Sequence, residues 1–409
     1  MVARRGGALL REAAGSPRAT FLELFFDLAY VFALTRVSVR LIDEVEQGLT
    51  VMGLAQSMIL FLALWHVWSL INWVTSRYDP EAETIQFVVV ATMLGSLVMA
   101  VTLPRAFEER ALPFVLAYLV VMIGRPVLIS VVLGRHPRRT VPWRLIVWAV
   151  AGGVFWLAGA LGPDQLRLGL WAVALGIDMT GLLLGWPVPW LGPAPPSAWR
   201  IAGEHLAERY QQIFLIALGE TILVIGVTYS GKGFSATAAG AFAVSFLITA
   251  LLWRIYFHRA GHLLVEALRL ARSPGRLGAS VTQTHLLMVL GVLFTGVGYE
   301  LVITEPFGRV EPSWLLFVVG GPVLFLLGRS RFEYEIFDRV SRTRVLAVLV
   351  LAGAAPLLLL GPPMLALCVV AAVLAGLAAV DLKRSYGRPP EMSASPLGRE
   401  EPGGVGFPT

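Results

Sequence analysis

Charge and cysteine are what this chain has least of. Only 15% of its 409 residues are Asp, Glu, Lys or Arg, whereas roughly a quarter of a soluble domain is charged. The single cysteine is Cys368, and one thiol excludes an intrachain disulfide and a structural zinc site built on cysteines. Three short motifs are also missing: G-x-x-x-x-G-K-[ST], G-x-S-x-G and H-E-x-x-H find no match. Their absence argues against ATP hydrolysis by the chain itself and against the commonest hydrolases, and leaves acid–base chemistry open. No residue pattern calls for a cofactor or a metal.

What is present is apolar. Hydrophobic residues make up 56% of the chain and the mean hydropathy is +0.73, which reads as an all-α, polytopic integral membrane protein. Windows of membrane-spanning length fall near 20–42, 51–75, 84–104, 111–134, 143–161 and 166–187, then near 204–228, 234–257, 281–303, 313–331, 343–361 and 364–382. About twelve transmembrane helices are therefore expected, the last two divided by a short turn at Gly361-Pro362-Pro363. Residues 1–19 read as a cytoplasmic arm, 188–203 as a cytoplasmic linker, and 383–409, rich in Pro, Gly, Ser and charge, as a disordered cytoplasmic tail.

The net charge of +6 does not point to nucleic acid, because the basic residues lie between apolar spans, where they act as topology determinants. With the N-terminus inside, twenty-three fall on the inner side and six on the outer, and Arg36, Arg125, Arg209 and Arg254 lie within spans. An even helix count with both termini cytoplasmic follows. The first span is too long and too acidic for a cleaved signal peptide.

An internal repeat is visible when the second half is laid over the first. Gly124-Arg125-Pro126-Val127-Leu128 matches Gly320-Gly321-Pro322-Val323-Leu324 at a shift of 196, Trp68 matches Trp253 at 185, and Leu161-Gly162-Pro163 matches Leu360-Gly361-Pro362 at 199. Residues 20–187 and 204–382 would then be two six-helix halves running parallel, with Pro126 and Pro322 each bending its helix. Between His258 and Arg276, Leu263, Leu264, Ala267 and Leu268 recur at helical spacing, as expected of an amphipathic helix at the inner interface. His258 and His262, four residues apart, lack an acidic companion for a metal.

The polar residues inside the spans carry the chemistry. Glu23 and Asp27 share one face of the first span, and a carboxylate within a bilayer faces protein or a wet cavity and has a partner. The seventh span, HLAERYQQIFLIALGETILVIG, opens with His205, Glu208 and Arg209 at spacings that let them pair. Glu220 follows eleven residues after Arg209, too deep to reach the inner surface. An arginine of another helix, such as Arg125, would satisfy it as a structural ion pair, and an unpaired Glu220 would be a proton or cation site. His66, among the tryptophans of the second span, is a candidate proton relay, and Asp178 is a further acid near mid-membrane.

Glu23 to Thr35 (ELFFDLAYVFALT), Arg77-Tyr78-Asp79-Pro80, Gly176-Ile177-Asp178, His205 to Tyr210 (HLAERY) and Leu218-Gly219-Glu220-Thr221 together resemble the low temperature requirement A family. The resemblance covers residues 17 to about 330 and departs at Val39, where the family commonly has histidine. It implies a multispanning protein of the bacterial cytoplasmic (inner) membrane. On the residues themselves, the first functional reading is a gradient-driven, proton-coupled transporter, with Glu23, Asp27, Glu208 and Glu220 as proton or cation sites and His66 or His205 as relay. The alternative is an intramembrane acid–base enzyme acting on a lipid or isoprenoid, with Glu23, Asp27 and Glu220 as candidate catalytic acids. A third reading is a structural or stress-related protein whose charges fix helix register. The expected partners are the bilayer and a small-molecule or lipid substrate, with protons.

Overall fold

The computed structural model describes Leu9 and residues 18–191, 203–258, 260–270 and 274–386. Most of the N-terminal arm, most of the linker and the tail beyond residue 386 lie outside these, so the expectations made of them are untouched. The described residues form helices and no strand. The first six helices are α1 (Phe21–Glu46), α2 (Val51–Arg77), α3 (Glu83–Thr102), α4 (Ala111–Leu133), α5 (Thr140–Leu161) and α6 (Asp164–Leu184). After the linker come α7 (Gly203–Gly231), α8 (Ala236–Phe257), the short α9 (Ala260–Leu270), α10 (Pro274–Thr304), α11 (Pro312–Val318), α12 (Gly320–Phe337), α13 (Arg342–Leu358) and α14 (Pro363–Ser385).

Among the described residues, ten segments are long and apolar enough to cross a membrane, with α11 and α12 counted as one. Three helices fall outside that measure for physical reasons. The 26-residue α1 carries Glu23, Asp27, Arg36 and Arg40 along its length, more charge than the measure admits, α13 has only 17 residues, and α9 has 11. Large apolar side chains such as Leu94, Val131 and Leu183 point outward, the surface a bilayer requires and water disfavours. Cys368 is exposed on the same kind of surface.

Local chemistry sets the helix ends. Thr20 and Glu23 form a reciprocal capping box at the start of α1. Thr50 Oγ1 accepts from Gly53 N at 2.9 Å to start α2. Pro362, which cannot continue α13, precedes the first residue of α14, so the short turn expected there is present.

Within residues 21–184, α1 packs on α2 and α3, α3 on α4, α4 on α5, α5 on α6, and α2 on α6. Within residues 203–385, α7 packs on α8 and α10, α10 on α12, α12 on α13, α13 on α14, and α8 on α14. The two sets meet where α1 packs on α7 and α10, and α2 on α7. Arg40 anchors the far end of α1, donating to Ser57 Oγ (3.1 Å), Pro104 O (2.7 Å), Gln56 Oε1 (2.9 Å) and Glu44 Oε1 (3.1 Å). The amphipathic segment after α8 is helical as expected, and α9 buries Leu263, Leu264, Ala267 and Leu268 with α7 as its main neighbour.

The two prolines behave differently. α4 runs unbroken through Pro126, whereas Val319 separates α11 from α12 one turn before Pro322. In both places the ring removes the donor for the carbonyl four residues earlier. Ahead of Pro322 stand Gly320 and Gly321, the residues least committed to helix, and there the missing bond is enough to interrupt it.

Candidate functional site

The acids of α1 meet the basic residues of α7 in a buried cluster. Arg209 grips Asp27 with both ends of its guanidinium, Nη1 to Oδ2 at 2.6 Å and Nη2 to Oδ1 at 2.8 Å. This is the bidentate geometry that makes arginine, not lysine, the suitable partner for a buried carboxylate. Trp68 Nε1 of α2 donates to Asp27 Oδ1 at 3.3 Å, and Gln212 Oε1 accepts from Arg209 Nη1 at 2.9 Å.

One turn earlier, His205 Nε2 lies 3.0 Å from Glu23 Oε2, and His205 Nδ1 lies 3.0 Å from Ser76 Oγ. A carboxylate can only accept, so the ring proton faces Glu23. The same Glu23 oxygen caps α1 by accepting from Thr20 N at 2.9 Å, and Arg209 Nε stands 3.7 Å from Glu23 Oε1. Glu23, Asp27, His205 and Arg209 are all at most 2% exposed. With His205 neutral the four carry a net charge of minus one; one proton on that ring brings the cluster to zero.

The pairs share a register. Glu23 with His205 and Asp27 with Arg209 are each separated by 182 residues. A constant difference between contacting residues means that α1 and α7 run parallel, since antiparallel helices would keep a constant sum. The register continues at Ser38, which lies beside Glu220. Glu220 is fully buried, neither of its oxygens makes a hydrogen bond of normal geometry, and the Ser38 hydroxyl is the polar group beside it. Gly296 of α10 leaves space against it, since a Cβ there would come within 3.5 Å of Glu220 Oε2. At 1.5 Å per residue, Glu220 sits about 16 Å along α7 from Arg209.

Of the residues singled out in the sequence, Glu23, Asp27, His205 and Arg209 come together, but His205, Glu208 and Arg209 reach across to α1 and its lead-in, not to one another. Glu208 Oε2 accepts from Ala19 N at 2.9 Å. The salt bridge considered between Glu220 and Arg125 is not formed. His66 is buried with Nδ1 unpartnered and has Arg125, not an acid, as its charged neighbour. Asp178 belongs to a separate group in which Tyr118 Oη (2.7 Å) and Trp156 Nε1 (3.1 Å) both donate to Oδ2. Sequence reasoning missed Thr20, Trp68, Ser76 and Gln212. Only Thr20 carried a readable signal, the Thr-x-x-Glu capping pattern before an apolar run.

Beside the cluster a groove of about 410 Å³ opens sideways between α1 and α7, lined by Phe21, Leu24, Leu28, Leu215 and Ile216, with Asp27 and Gln212 at its polar edge.

Comparison with known proteins gives two likenesses. Residues 18–379 match the model of the bacterial low temperature requirement A protein, LtrA. An uncharacterised protein of Rhizobium meliloti (strain 1021) is 35% identical over 324 residues, covering 78% of each chain. No solved structure matches.

Proposed function

The chain belongs to the bacterial low temperature requirement A family, and from that premise and the α1–α7 cluster we propose that it is a gradient-driven, proton-coupled transporter of the cytoplasmic membrane. In this reading α1 and α13 also cross the bilayer, giving twelve spans in two parallel halves with both termini cytoplasmic. The neighbour order supports it: α1 to α6 and the corresponding spans α7, α8, α10, α11–α12, α13 and α14 pack on one another in the same sequence. So does the 182-residue register, which halves related by an axis along the membrane normal would produce where their first helices meet. Carriers built from such repeats bind substrate and coupling ion at the repeat interface.

The observation that carries the reading is Glu220, an acid buried at that interface with no cation among the described residues beside it and only the Ser38 hydroxyl at hand. An isolated charge there is costly, and the inexpensive form is protonated. Glu220 then loads and releases the proton, while Glu23, Asp27, His205 and Arg209 close one end of the path with a pair network that a single proton on His205 neutralises. The test is proton flux in liposomes carrying a pH-sensitive dye, with candidate solutes added. Solute-dependent flux is expected in the wild type and is lost in Glu220→Gln with its melt unchanged; flux that survives Glu220→Gln takes this residue out of the path.

The lateral groove favours a second reading, an acid–base enzyme that takes a lipid or isoprenoid chain against Leu24, Leu28 and Leu215 with its reacting end at Asp27. Turnover of such a lipid in detergent, without flux in liposomes, would select it.

A further inference from the structure

The first half of the molecule holds a second polar site, separate from the α1–α7 cluster. Arg125, in the middle of α4, is 5% exposed, and its Nε and Nη1 have no hydrogen-bond partner. Its one contact of that kind runs from Nη2 to the Met122 sulfur at 4.0 Å. The groups around it are Tyr30, Tyr118 and His66, none of them an anion. Asp178, the acid beyond Tyr118, already receives two donors on Oδ2.

Other buried arginines differ. Arg40 has Glu44 and three further oxygens, Arg209 has Asp27, and Arg344 has Glu333 and Asp381. A guanidinium keeps its charge at any accessible pH, so burial cannot neutralise Arg125 by deprotonation. A second arginine faces the same space. Arg77 at the end of α2 is half-buried, has Nε unpartnered, meets the Tyr78 ring and hydroxyl and has Arg138, another cation, as neighbour. Arg77 and Arg125 line one cavity, walled by Val74, Ile129, Pro142 and Trp186. Its volume is about 40 Å³, room for a few water molecules or a small ion. Two like charges at one pocket without a carboxylate, Arg125 with two unpartnered nitrogens and Arg77 with one, are an arrangement completed by a negative ion.

We propose that this cavity binds a small monovalent anion of halide size, held by Arg125 together with Arg77. The site is independent of the transport reading, and its test needs no transport assay. Purified protein is melted in sodium chloride and in sodium gluconate, whose anion is too bulky for the cavity, at equal ionic strength. Chloride is expected to raise the wild-type Tm saturably, by roughly 2–4 °C at tenfold saturation. Arg125→Met should melt alike in both salts. Should that variant fail to fold, Arg77→Gln decides, with at least a threefold higher half-saturating chloride concentration expected. Equal wild-type melts in the two salts overturn the proposal, as does a chloride shift that persists undiminished in the variants. An Arg125-dependent shift produced by phosphatidylglycerol and not by chloride also overturns it, assigning the site to a lipid headgroup.

Discussion

Asp27 and Glu220 carry the same group in opposite circumstances, and the difference can be measured. Asp27 is held by both ends of Arg209. Asp27→Asn keeps the volume but leaves a buried guanidinium with Gln212 and a Glu23 oxygen at 3.7 Å, which costs roughly 3–5 kcal/mol. Adding Arg209→Gln removes the stranded charge, so the double variant should melt closer to wild type than Asp27→Asn alone, a coupling read from a double-mutant cycle in detergent. Glu220→Gln strands no cation and should leave the melt near the wild-type temperature. A normal melt for Asp27→Asn would reduce the Asp27–Arg209 pair to a bystander. That Glu23 and Asp27 need partners was legible in the sequence from the cost of charge in a bilayer. Which cations supply them was not, because the partners lie 182 residues away and only the fold brings α7 beside α1.

The helices hold together through small residues at the crossings. Gly291 of α10 and Gly321 of α12 meet backbone to backbone. A Cβ on Gly291 would fall 2.5 Å from Phe325 N and 2.8 Å from Gly321 O, and one on Gly321 would fall 2.6 Å from Thr295 N. Such close approach is how helices associate where lipid is as apolar as the side chains. Gly291→Val must push the two helices apart and is expected to destabilise by at least about 1–3 kcal/mol. Gly176→Ala, with nothing within 4 Å of the new Cβ, should be neutral or stabilise by about 0.5–1 kcal/mol; similar losses in both melts would remove the close-packing argument. The spans were readable from apolar runs to within a few residues at most ends. The break at Val319 was not, because the same Gly-x-Pro-Val-Leu stretch leaves α4 continuous, and only the glycine pair ahead of Pro322 separates the two cases.

At the scale of the whole chain the remaining question is which side each loop faces, and charge provides the argument. Arginine and lysine are retained on the cytoplasmic side of a membrane protein, and twenty-three against six is a strong bias in a chain with thirty-three basic residues. Parallel α1 and α7 agree with it, since helices that start on the same side need an even number of crossings between their beginnings. Glu46, at the end of α1, and Lys232, just after α7, then share the outer face. On the proposed orientation Arg138, between α4 and α5, is assigned to the inner side, and so is Arg272, which is not among the described residues. Native Cys368 is exposed on the apolar surface of α14 and is first replaced, Cys368→Ala, to give a background without thiols. In that background Glu46→Cys and Lys232→Cys should react with an impermeant maleimide added to intact cells, while Arg138→Cys and Arg272→Cys should react only after the membrane is opened. External labelling of Arg138→Cys or Arg272→Cys would reverse the orientation. Labelling of Glu46→Cys without Lys232→Cys would mean that α1 and α7 do not end on the same side, which the shared register of Glu23–His205 and Asp27–Arg209 forbids.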